Sequence, residues 1–318
     1  MSGTHKGQLD ANLPSGRDLL ARIFAAQDAT EVLTDKELQR AGERAPACFA
    51  EIGTVLGYLD RMASCSWGCR QGDHLIEYLC GRAASQTLAS LRLMRFGLYD
   101  EALLACRGIG EIANLLFLFH HDPSSFREWA DSSEQARRKA FSPVNVRKRL
   151  EASGSIIPID EQRYSRLSGI AAHVNPATRP QAHNLLGVPG TGLGFQEAGA
   201  LACLNETAGA LASVTAGGSF LLGYDAGLRK EILGACRALV QQIGAIDLAG
   251  AEAHRATASA SPELKSLLED VRRQLIEASK KRGQRAEPPA TSGTHVGAEA
   301  GHGRSAQAAA GTLSLDDA

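Results

Sequence analysis

Aromatic side chains are scarce in this chain: Phe, Tyr and Trp make up 5% of its 318 residues, and methionine occurs three times. No run alternates apolar and polar residues for long enough to build a sheet. Together these two absences exclude a β-sandwich, which leans on β-branched and aromatic side chains. Charge of one sign is lacking as well, the net being −1 with the histidines neutral, so the molecule as a whole is no polyanion binder and any nucleic-acid contact needs a local basic patch. The first twenty residues hold no apolar core of signal-peptide length, and the expectation is a cytoplasmic protein. With that expectation the seven cysteines, an odd number, read as reduced thiols. The longest uncharged run, Thr207 to Tyr224, is about one membrane span long but carries four glycines, so it reads as a buried helix and no membrane partner is expected.

What the sequence does hold is helical periodicity and small residues. Residues 46–63 place Phe49, Ile52, Val55, Leu56 and Leu59 on one helical face. Asp73 caps an expected helix to Arg95 whose apolar side is Leu75, Leu79, Leu88, Leu91 and Met94. Further helices are expected over 99–121, 124–141, 142–154, 160–173, 196–222, 225–245 and 262–281, with 177–195 as a Gly- and Pro-rich loop. Residues 1–16 and 282–318 are polar, small and without packing groups, so both read as disordered tails. The fold class is therefore all-α: one multi-helix bundle over 17–281, with its core at roughly 46–245, between two disordered ends.

Three features suggest chemistry. The first is the helix 99–121, where Asp100, Arg107, Glu111 and Asn114 form a narrow polar stripe on an otherwise apolar element. If that face is buried, its charges require partners from a neighbour. The segment "RYSRLSGIAAHVNP" offers candidates, since Arg166 and His173 stand seven residues apart on one face of an α-helix, with Tyr164 and Ser168 on the adjacent face. The second is the basic pair of clusters Arg137, Arg138, Lys139 and Arg147, Lys148, Arg149, a candidate phosphate-contacting patch for RNA. Phe141 is the single aromatic between them, too little for a base-stacking platform. The third is "CSWGCRQGDHLIEYLC", where Cys65, Cys69 and His74 are ligand types that zinc takes, while Cys80, six residues past His74 in one helix, points to the opposite side. No cofactor is otherwise expected. The glycine-rich 187–195 lacks a phosphate-loop lysine and follows no strand.

"RLSGIAAH" resembles the Arg-x4-to-6-His motif of the HEPN superfamily, helical domains of bacterial conflict and RNA-processing systems, and the helical pattern over 73–245 is similar to theirs. The residue after the arginine is usually polar in that family, and here it is Leu167. Catalytic members are metal-independent ribonucleases that pair two motifs across a dimer. The resemblance implies that His173 assists deprotonation of a ribose 2′-hydroxyl and that Arg166 stabilises the phosphate, in a homo-oligomer. Tyr164, Leu167, Ser168 and His173, following Arg107 and Glu111, also resemble an element of uncharacterised helical bacterial proteins that carries no agreed activity.

Two readings stay open on the residues alone. One is an RNA-cleaving helical domain acting through Arg166 and His173. The other is a non-catalytic helical module that binds a small ligand or a partner protein, with Arg107, Glu111, Asn114, Tyr164 and Ser168 as a polar network holding helices in register.

Overall fold

In a computed structural model the described residues are 16–40, 44–65, 72–172 and 194–260, with side chains described to residue 243 and Arg44 left out. They fall in one compact unit. They form ten α-helices and no strand, as the periodicity predicts: α1 (Gly16–Arg40), α2 (Arg44–Ala63), α3 (Leu75–Arg95), α4 (Tyr99–His121), α5 (Pro123–Asp131), α6 (Glu134–Ala140), α7 (Pro143–Ala152), α8 (Glu161–Leu167), α9 (Glu197–Leu221) and α10 (Ala226–Ala260).

Composition chooses the central helix. Within α9 the only charged residues are Glu197 and Glu206, and the rest is largely Ala, Gly, Ser, Thr and Leu. A helix that is apolar or small all round is buried all round. It packs against α2, α3, α4 and α10. Its glycines let those neighbours in: a Cβ on Gly199 would sit 2.5 Å from the Tyr99 ring, and one on Gly217 3.0 Å from the Leu116 Cβ. The uncharged run that begins at Thr207 is thus core. Among the described residues α4 is the one helix long and apolar enough to cross a membrane by length and composition, and most of it is buried inside the bundle.

Close packing also decides which face of α3 turns inward. The expected apolar side was the leucines, yet Leu88 is exposed and Leu79 and Leu91 are half-buried. The buried stripe is Ile76, Glu77, Cys80, Ala83, Ala84, Thr87, Ser90 and Met94. Against the small-residue surface of α9, small side chains permit the closest approach, and that outweighs the larger transfer energy of leucine.

Local signals place the turns. Gly97 (φ 78°) ends α3, with Leu98 N–H donating to Leu93 C=O at 2.9 Å and Gly97 N–H to Met94 C=O at 3.0 Å. Gly154 (φ 67°) ends α7 in the same way. The single helix expected over 124–141 is two, because Ser132 is extended and the Ser133 hydroxyl accepts the Ala136 N–H, starting α6 afresh. The long α1 was not singled out by periodicity, since only Thr30, Thr34 and Leu38 of its 25 residues are buried. The backbone of α10 runs past the expected end at 245 to Ala260. The helix expected over 262–281, the loop core 177–193 and both expected tails, apart from Gly16, lie outside the described residues.

Candidate functional site

The Asp160 carboxylate accepts the Arg163 N–H at 2.8 Å and starts α8 where the sequence places it. This short helix lies against α4, and Tyr164 is its pivot. The Arg107 and Arg147 guanidinium carbons stand 4.6 Å and 4.3 Å from the Tyr164 ring centroid. Arg107 also donates to the Tyr164 hydroxyl at 2.5 Å and pairs with Glu111 at 3.1 Å. Arg147 is only 5% exposed and is paired with the Glu161 carboxylate. A buried cation needs compensation, and here an aromatic face and one carboxylate supply it. Arg107 Nε, Arg147 Nη1 and the Ser168 hydroxyl are buried without a hydrogen-bond partner among the described residues.

Asn114, the last member of the stripe, does something else. Its amide donates to Ile159 C=O at 2.9 Å and accepts from Ile159 N–H at 3.0 Å, which ties the segment before α8 to the middle of α4. Gly110, one turn earlier, leaves room for that segment, since a Cβ there would meet Ile159 Cδ1 at 3.0 Å. Partners for the stripe thus come from Tyr164 and the Ile159 backbone. Asp100 lies half-buried at the far end of the helix, and His173 lies outside the described residues.

The face shared by Arg166 and His173 was derived from 3.6 residues per turn. That premise fails, because Ser168–Ala172 form a π-helical turn. Bonding from i to i+5 widens the turn to roughly 4.4 residues. The α-helical phase that starts at Arg166 is thus interrupted before His173, which lies outside the described residues. Arg166 itself is plainly placed: its guanidinium is paired with Glu206 of α9, and its side chain is 60% exposed.

Glu206 is the residue that sequence reasoning missed. Its side chain, 12% exposed, takes Arg166 on one oxygen and Arg163 Nε on the other at 2.7 Å. Arg163 is held further by Pro158 C=O at 3.2 Å and Glu206 C=O at 3.4 Å. Gly209 makes this possible, because a Cβ there would be 3.1 Å from the Arg163 Nη2. A signal was available: Glu206 is the only charge inside the least charged helix, and such a charge demands a cation.

Beside these groups opens a cleft of about 440 Å³ between α4, α8, α9 and α10. Arg163, Arg166, Asn205 and Glu206 give it a polar side. Leu103, Leu167, Ile170 and Ile243 give it an apolar one. Two guanidinium groups share one carboxylate, so the polar side keeps a net positive charge.

The basic clusters do not present one face. Arg147 is the buried partner of Tyr164 and Glu161, which corrects its place in the expected phosphate-contacting patch. Arg137 donates to the Trp129 and Ser132 carbonyls, and Arg149 bridges Asp122 and Glu128 while covering Phe141. Arg138, paired with Glu134, and Lys139 and Lys148 remain outward. Of the candidate zinc ligands, Cys65 Sγ stands 3.5 Å from His74 Nδ1 and Cys69 lies outside the described residues; Cys80, set apart from them in the sequence, is buried in the core. Among the described residues no three His, Cys, Asp or Glu side chains cluster as a metal site.

One buried polar group went unread. Ser90 of α3, Cys106 of α4 and Thr207 of α9 meet where three helices cross, with 2.8 Å between the hydroxyls and 3.3 Å from the thiol to each. Burial pushes the Cys106 and Cys203 thiols up from their ordinary range. No family model, no curated protein and no solved structure matches this chain.

Proposed function

We propose that the chain is a helical binding module whose cleft takes a small molecule with one anionic group, carboxylate or phosphate, on an apolar body. The observation that carries this reading is the pair Arg163 and Arg166 on the single carboxylate of Glu206, at the edge of a cleft with an apolar wall. Arg163 is spent on three acceptors, whereas Arg166 has one acceptor among the described residues and faces solvent. It keeps donors for a ligand, and its planar fork suits a carboxylate or a phosphate. The cleft volume falls within the range of small-molecule sites, about 300–1,000 Å³. The test is calorimetric titration with octanoate, octyl phosphate and, as the neutral control, octanol. Octanoate or octyl phosphate is expected to bind, octanol at least tenfold more weakly by loss of the charged contacts, roughly 1.5 kcal/mol or more. Arg166→Gln is expected to abolish the difference, and Glu206→Gln to strengthen anion binding by releasing both arginines. Equal binding of octanol and octanoate, or none of either, overturns the reading.

RNA cleavage through Arg166 and His173 is the second reading, favoured by one observation: Arg166 is exposed at a cleft rather than locked in the core. Incubation of the purified chain with RNA in EDTA tests it. Cleavage that disappears in His173→Ala and Arg166→Ala supports it, and an inert native chain refutes it.

A further inference from the structure

The N-terminal half of α1 stands apart from the rest of the bundle. No residue from Gly16 to Ala29 is buried, whereas Thr30, Thr34 and Leu38 in the second half are. That second half is anchored by Glu31 and Asp35 to Arg92 and Arg95 of α3, and by the Thr34 hydroxyl donating to Arg95 C=O at 3.1 Å. The helix does not change face between the halves. Leu19, Ile23 and Gln27 each precede Thr30, Thr34 and Leu38 by eleven residues, three turns of α-helix, so they continue the same stripe. Beside it stand Leu20 and Phe24, 53% and 58% exposed. The buried part of the stripe is largely threonine, whereas on and beside its N-terminal part Leu19, Leu20 and Phe24 are exposed and Ile23 is half-buried.

We infer that this face is covered by the same face of a second copy of the chain, with the two α1 helices antiparallel. The charges select both the occupant and the direction. Arg17 and Asp28 lie eleven residues apart on one flank of the stripe, are exposed, and have no ion-pair partner among the described residues. A two-fold axis between Arg22 and Ile23 sets Arg17 opposite Asp28 of the other copy, and Asp28 opposite its Arg17, with the apolar residues inside that span. A two-fold interface is self-complementary in this way, residue i meeting j and j meeting i. Parallel two-fold pairing puts that flank of the two copies on opposite sides of the contact, so neither ion pair forms. Over Gly16–Ala29 the two arginines balance the two aspartates, so no basic face is offered to an anionic lipid surface. Three to four turns of helix make a contact below the standard interface of about 800 Å² per partner, so the dimer is a concentration-dependent one.

The experiment is sedimentation velocity of the full chain across roughly 1–100 μM, the range in which weak pairs dissociate. The native chain is expected to pass from monomer to dimer, and Phe24→Ser, at an exposed site, to stay monomeric with unchanged circular dichroism. Arg17→Asp alone and Asp28→Arg alone each turn two attractions into repulsions and are expected to weaken association about tenfold. An equimolar mixture of these two variants restores opposite charges at both contacts and is expected to regain the native dimer. A native chain that stays monomeric at the top concentration overturns the inference, as does undiminished association of Phe24→Ser. A mixture no tighter than its components overturns the antiparallel register. Native chain that instead binds vesicles of phosphatidylcholine and phosphatidylglycerol through Phe24 assigns the face to a membrane and also overturns it.

Discussion

Helix α4 has two working faces, and they are built on opposite rules. Toward α9 it presents Tyr99, Cys106 and Leu116, meets Gly199, Thr207 and Gly217, and has one polar knot in which Ser90, Cys106 and Thr207 serve each other. Toward α8 it presents Arg107, Glu111 and Asn114, and meets Tyr164, whose ring also carries Arg147, and the Ile159 backbone. The first face is held by shape, because packed interiors have no spare volume and each neighbour fixes the next. The second is held by directed polar contacts, several with a donor left over. The comparison teaches where adaptability lies: the α8 side is built from polar groups that can change partner, while the α9 side has no spare volume to give.

The sharpest way to break the comparison is to add volume to the dry face. In Gly199→Val the new Cβ would lie 2.5 Å from the Tyr99 ring, which is fully buried and whose hydroxyl accepts the Gln196 N–H at 2.8 Å. The ring cannot retreat without losing that bond, so a destabilisation of about 3 kcal/mol is expected, at the upper end for overpacking. Thermal denaturation should show a fall in midpoint of roughly 10 °C. A fall of less than a few degrees would mean that the face tolerates volume and is not held by shape.

Redundancy is the next point of difference. Asn114→Ala removes both partners of Ile159, leaving a buried N–H and a buried C=O without bonds, and a loss of about 2–4 kcal/mol is expected. Ser90→Ala leaves Cys106 and Thr207 in contact at 3.3 Å, so about 1 kcal/mol is expected there. Urea denaturation of the two variants compares them directly. Equal losses would show that the knot is no more redundant than the tie.

Much of the dry face was legible in advance, because periodicity and small-residue composition are local properties and helix ends carry their own signals at Gly97, Gly154 and Asp160. The buried face of α3 was misread, since a leucine count measures transfer energy and not the closeness that α9 permits. On the charged side the stripe Arg107–Glu111–Asn114 could be seen, because one helix sets its spacing, and Tyr164 could be paired with it. Glu206 could not be joined to Arg163 and Arg166, as 40 or more residues separate them and only the fold closes that distance. The π turn at Ser168–Ala172 was also hidden, because hydrogen-bond register is not a property of composition. It interrupts the regular phase that set Arg166 and His173 on one face.

The mildest probe is acid, and it touches only the charged face. Glu161 has its pKa held below the ordinary 4.5 by the Ser165 hydroxyl and then by Arg147. A carboxylate with a depressed folded-state pKa binds its proton more readily in the unfolded chain. Its contribution to stability is therefore complete above pH 4.5 and is lost as the pH falls through the lower folded value. The carboxylate is exposed, so the effect is small, yet its consequence is specific: protonation deprives the buried Arg147 of its only carboxylate among the described residues while the Tyr164 ring stays in place. Melting of the native chain and of Glu161→Gln, followed between pH 6 and pH 3, should give two curves that differ above pH 4.5 and converge below it. The Ser90–Cys106–Thr207 knot has no group that titrates in this window, so Ser90→Ala should run parallel to the native curve throughout. Convergence of Ser90→Ala instead would place the acid-sensitive contact on the dry face and dissolve the distinction between the two sides of α4.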